Sequence, residues 1–126
     1  MQVCKNQIGK FSYNMKSTII LFTSNGMGMA PEELTKTLVK NYLGLLKDEK
    51  KLPAALLFYG DGVKLVCEDS PVLDSLIAIE SKGVKLIACK TCLAYLGLMD
   101  NIKVGHVGTM ADILAFQIEA DKVITV

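Results

Sequence analysis

The sequence contains no arginine, no tryptophan and a single histidine, His106. All 14 basic residues are therefore lysines. Without a guanidinium the chain lacks the planar, bidentate clamp that most often holds phosphate or carboxylate. A phosphate-centred activity is disfavoured on that ground. Charge of one sign is missing too: 14 basic residues face 13 acidic ones. That balance gives no electrostatic basis for binding nucleic acid or an anionic lipid surface. Long apolar runs are also absent. The longest, 18–23 and 54–59, fall far short of the roughly 20 residues of a spanning helix. The first residues carry no apolar core of a secretory signal. The expectation is no membrane partner, no nucleic-acid partner and a cytoplasmic location.

What remains is an apolar, globular chain. At 51% hydrophobic and 21% charged residues it is not disordered. Its 126 residues suit one domain that buries a core without disulfides or metal. The mean hydropathy of +0.36 is high for a small domain with no spanning segment. Apolar surface hidden between subunits explains it, so a homo-oligomer (dimer, trimer or hexamer) is expected. Four cysteines in a cytosolic chain point to redox, metal or sulfur chemistry more than to a disulfide framework.

Residues 1–16 are polar and aperiodic, a tail or linker stub that holds Cys4 and ends near a second methionine, Met15. Residues 17–126 form one domain in which strands and helices alternate. Buried strands are expected over 17–24, 54–60, 84–89, 102–106 and 122–126, with a short extended piece over 63–67. Pro31, Glu32 and Glu33 open a first helix, whose apolar face is Leu34, Leu38, Tyr42, Leu45 and Leu46. Ser70 and Pro71 open a second, which Gly83 ends. Further helices span 91–98 and 109–120. The last has almost no polar face and should be buried all round, with help from a second subunit. The pattern predicts a three-layer α/β/α fold with a mainly parallel, five-stranded sheet and flavodoxin-like architecture.

Ligands of such sheets sit beyond the carboxyl ends of the strands. The spacing puts Ser24, Asn25, Gly26 and Gly28 there after the first strand and Tyr59, Gly60 and Asp61 after the second. Cys89, Lys90, Thr91 and Cys92 follow the third, and His106 the fourth. The Cys-x-x-Cys is the strongest local signal. Cys89 ends a strand and Cys92 enters a helix, where unpaired N–H groups and the Lys90 charge should lower a thiol pKa. Three readings compete. Thioredoxin-like redox chemistry would want a proline beside the pair, and Pro31, Pro53 and Pro71 are all placed elsewhere. A metal site could draw on Cys89, Cys92, His106 and Cys67, but only one short-spaced pair is present. The third reading is a persulfide carrier. Gly26-Met27-Gly28 imitates the start of a dinucleotide fingerprint, yet Pro31 takes the place of the third glycine, and no cofactor is expected.

The stretch from Gly83 to Leu98, Gly-Val-Lys-Leu-Ile-Ala-Cys-Lys-Thr-Cys-Leu-Ala-Tyr-Leu-Gly-Leu, resembles the signature of the DsrE/DsrF-like sulfur-relay family. Within it, the stretch is most similar to the YedF-type proteins linked to selenium metabolism. Phe58-Tyr59, Gly62 to Leu65, Ser70 to Leu73 and Val104-Gly105 add to the likeness. The resemblance implies a sulfurtransferase-like, oligomeric α/β domain that passes sulfur from a donor protein to an acceptor protein. It implies that Cys89, eight residues before Gly97, accepts the sulfur as a persulfide. Cys92 matches the second cysteine of the subgroup. Asn25, Gly26, Gly28, Tyr59, Lys90, Thr91 and His106 are the expected substrate-side residues. The competing expectation is a non-catalytic module that holds a metal or small ligand with Cys89, Cys92 and His106.

Overall fold

The computed structural model describes residues 17–126; the expected tail, with Cys4 and Met15, lies outside the described residues. Five strands form one sheet: β1 (Thr18–Phe22), β2 (Ala55–Phe58), β3 (Lys85–Cys89), β4 (His106–Gly108) and β5 (Lys122–Thr125). Their spatial order is β4-β3-β2-β1-β5, and every pairing is parallel. All carboxyl ends therefore share one edge. β1 and β2 lie inside the sheet and are buried at every position, which is why their sequences are apolar without alternation. The final crossover carries β5 past the other strands to pair with β1, an order unlike that of flavodoxin.

Helices α1 (Glu32–Leu46), α2 (Leu73–Ser81), α3 (Lys90–Tyr95) and α4 (Met110–Glu119) complete the layers. The edge of Phe22 meets Tyr42 of α1, with ring centroids 6.2 Å apart and planes at 74°. Phe22 also stacks on Phe58. Side chains of opposite parity, Ile19 and Ile87, face Ala115 and Phe116 of α4 across a groove of about 650 Å³. The helices thus cover opposite faces of the sheet.

Several elements differ from expectation. On α1 the buried stripe is Val39, Leu43 and Leu46; Leu34, Leu38 and Leu45 form a neighbouring, exposed stripe. The second helix starts later than Ser70 and Pro71, because the Ser70 hydroxyl accepts the Val72 N–H at 3.3 Å and caps a turn ahead of it. The stretch expected to be extended over 63–67 is a 3₁₀ helix, Gly60–Val66. Gly62 sits so tightly on the Phe22 carbonyl that a methyl there would overlap it. This contact folds the chain back under the sheet edge and buries Val63, Leu65 and Val66.

The fourth strand begins where it was expected to end. Residues 102 and 103 pair with the end of the 3₁₀ segment instead of the sheet. Ile102 makes an antiparallel bridge to Cys67, and Lys103 donates its N–H to the Val66 carbonyl at 2.9 Å. Gly105, at φ +82°, then turns the chain against Leu86 and into β4. The last helix is not buried all round in the single chain. Only Ile113 is buried, and Met110, Leu114 and Ile118 are exposed along one stripe.

Candidate functional site

The site grows from the carboxyl ends of β2 and β3. β3 ends at Cys89, whose backbone is extended (φ −66°, ψ 123°) and whose side chain makes no capping bond to α3. The helix begins at once, so Cys92 falls in its first turn. Next door, β2 ends at Phe58. Tyr59 continues extended, and Gly60 turns at φ +59°, a left-handed conformation that costs a side-chain-bearing residue about 1–2 kcal/mol. The turn aims the Gly60 N–H at Cys92 Sγ, 3.1 Å away. Cys92 also lies within hydrogen-bonding reach of the Cys89 side chain. No disulfide joins the two; Cys89 is buried and Cys92 half-buried.

The electrostatics reverse one expectation. Burial pushes the Cys92 thiol above its ordinary value, and the neighbouring Cys89 pushes the same way by hydrogen bond and by charge; the Gly60 N–H opposes both. The expected lowering by the helix start does not prevail. Cys92 thus holds its proton more firmly than an ordinary thiol, and the Gly60 N–H is the donor aimed at its sulfur.

The remaining expected residues divide. Tyr59, one residue past β2 and next to Gly60, is half-buried; Lys90 and Thr91 are exposed on the first turn of α3. The loop with Asn25, Gly26 and Gly28 follows β1 at the same edge, but its bonds run to itself and to α1. The Ser24 hydroxyl donates to the Gly26 carbonyl at 3.1 Å, and the Met27 N–H donates to the Thr35 carbonyl at 3.0 Å. The helix beyond opens with two acids, Glu32 and Glu33, which disfavour an anion there. His106 is not beyond the carboxyl edge. It is the first residue of β4 and pairs with Ile87, two residues before Cys89. Cys67 is buried and its thiol donates to the Val63 carbonyl at 3.2 Å, a structural role. Among the described residues no three His, Cys, Asp or Glu side chains come together to hold a metal ion. Cys89, Cys92 and His106 are thus not brought together as a metal-holding cluster. The sequence placed Gly60 at this edge but did not show its contact with Cys92. The signal for a turn there is Gly60-Asp61-Gly62, one residue beyond the apolar strand.

This framework matches a known family model, DsrE/DsrF-like, over residues 16–126. The chain belongs to the DsrE/DsrF-like family. Three solved structures share the family's fold. The YchN protein of E. coli is 21% identical, with TM-score 0.66, over 89% of this chain and 100% of that one. MTH1491 of Methanobacterium thermoautotrophicum, a protein of unknown function, is 19% identical, with TM-score 0.63, over 86% of this chain and 97% of that one. BT1422 of Bacteroides thetaiotaomicron, also of unknown function, is 16% identical, with TM-score 0.60, over 87% and 95%. No curated protein matches the chain significantly. At these identities the likeness shows the fold. Among the described residues no helix is long and apolar enough to cross a membrane.

Proposed function

We propose that this chain is a sulfur-relay protein that carries sulfane sulfur as a cysteine persulfide between a donor protein and an acceptor protein. The observation that carries the reading is the pairing of Cys89 with Cys92 at the sheet's carboxyl edge, with the Gly60 N–H 3.1 Å from Cys92 Sγ. A thiolate there attacks the outer sulfur of a donor persulfide. One S–S bond forms as another breaks, and the donor leaves as its thiolate. An acceptor thiolate then takes the outer sulfur in the same way and regenerates the pair. No metal or organic cofactor takes part in this exchange. Membership of a family associated with sulfur relay supports the reading.

Within the family, the Cys-Lys-Thr-Cys segment favours the YedF-type branch linked to selenium metabolism. The exposed stripe of Met110, Leu114 and Ile118 supports assembly of the chain with itself, in the cytoplasm. Sulfur labelled in cysteine and released by a cysteine desulfurase should become bound to the protein and be freed by dithiothreitol. The double variant Cys89→Ala/Cys92→Ala should bind none. Equal labelling of the wild type and the double variant would refute the site.

A further inference from the structure

The two cysteines differ in one decisive respect. Cys89 has 0% of its surface exposed, whereas Cys92 is half-buried and reaches solvent. A donor persulfide sits on another molecule and must present its outer sulfur in line with the attacking sulfur. It cannot do so at an enclosed thiol. Access therefore decides which sulfur meets the donor. The Gly60 N–H points at the accessible one.

We infer that Cys92, not Cys89, is the thiol that receives sulfur, and that Cys89 is an internal resolving thiol that acts only on sulfur already held by Cys92. This rests on the relay reading and assigns roles within it. In the first step Cys92 Sγ bonds to the outer sulfur of the donor. The donor S–S bond breaks, the donor departs as a thiolate, and the Cys92 proton passes to solvent. If no acceptor arrives, Cys89 attacks Cys92 Sγ. The Cys89–Cys92 disulfide forms, the bond from Cys92 to its outer sulfur breaks, and that sulfur leaves as hydrosulfide. The two thiols lose two electrons and the sulfane sulfur gains them. A dithiol reductant then reopens the disulfide. Because this attack is intramolecular, the burial of Cys89 does not hinder it. Burial instead shields Cys89 from outside oxidants and alkylating agents.

Two measurements test the assignment. First, the folded wild-type protein is treated with limiting iodoacetamide and its peptides are mapped. Cys92 should be modified at least tenfold faster than Cys89, and preferential modification of Cys89 would overturn the proposal. Second, glutathione persulfide is offered to the wild type, Cys92→Ala and Cys89→Ala. Cys89→Ser is run in parallel, since it fills more of the buried space than alanine does. Loading should fall at least tenfold in Cys92→Ala. The Cys89 variants should still load at Cys92 but hold the persulfide, with no release of hydrosulfide. Loading that persists in Cys92→Ala overturns the order of the thiols and leaves the relay standing. A wild type that takes up no sulfur with both thiols reduced overturns the relay and the order together.

Discussion

At Gly60 a backbone requirement and a sulfur contact fall on one residue. Its φ of +59° makes alanine costly there, by about 1–2 kcal/mol in the left-handed region. Gly60→Ala should lower unfolding free energy by that amount in urea titration, and an unchanged midpoint would contradict the described turn. At Cys67 the consequence is pH dependence. Burial raises its thiol above the ordinary value. The folded thiol holds its proton more tightly than the unfolded one. Its contribution to stability is therefore fully present below the unfolded value, about 8.5, and is lost as pH rises through the folded value. Wild-type thermal stability should fall above about pH 8.5, and Cys67→Ala, though less stable overall, should fall less steeply. Parallel curves would show that Cys67 is not the titrating group. The cysteine pair was legible in the sequence as a motif at a sheet edge. The burial of Cys89, the contact with Gly60 and the raised thiol of Cys92 were not, because each depends on a neighbouring strand distant in sequence.

Among the elements, α4 was the easiest to place, and its capping box shows why. The Thr109 hydroxyl accepts the Asp112 N–H at 3.2 Å, and an Asp112 carboxylate oxygen accepts the Thr109 N–H at 2.8 Å. Both ends of the bond pair lie within four consecutive residues, so local sequence specifies them. Thr109→Ala should cost about 1 kcal/mol in denaturant unfolding; a loss below a few tenths would mean that the cap contributes nothing. The segments over 60–66 and 102–105 were harder. Their apolar, β-branched residues suit a strand, but tertiary contacts decide their conformation. Gly62 against Phe22 and Gly105 against Leu86 bend both segments away from the sheet and pair them with each other. The same shift moved His106 from the carboxyl edge to the start of β4, and with it any metal or acid–base partnership with the cysteines.

For the whole molecule, the alternation of apolar strands with helices was enough to fix an all-parallel, three-layer fold. It could not fix the strand order, because each crossover is compatible with more than one neighbour. The excess hydropathy of the sequence has a visible location: Leu114 is 52% exposed and Ile118 74% exposed on α4. Sedimentation should give a mass that is a multiple of the 13.7 kDa chain. The double variant Leu114→Glu/Ile118→Glu should shift it toward the monomer, since buried charge without a partner is costly at an interface. A wild type that sediments as a monomer at all concentrations would contradict assembly through this stripe. The central claim is that the molecule accepts and holds sulfur. The most direct measurement is the intact mass of protein purified without oxygen, taken before and after exposure to a cysteine desulfurase and cysteine. The account predicts a gain of sulfur on the peptide containing Cys89 and Cys92, or the Cys89–Cys92 disulfide left once that sulfur has been expelled, and reduction reverses either change. Fully reduced thiols with no gain in mass would contradict it.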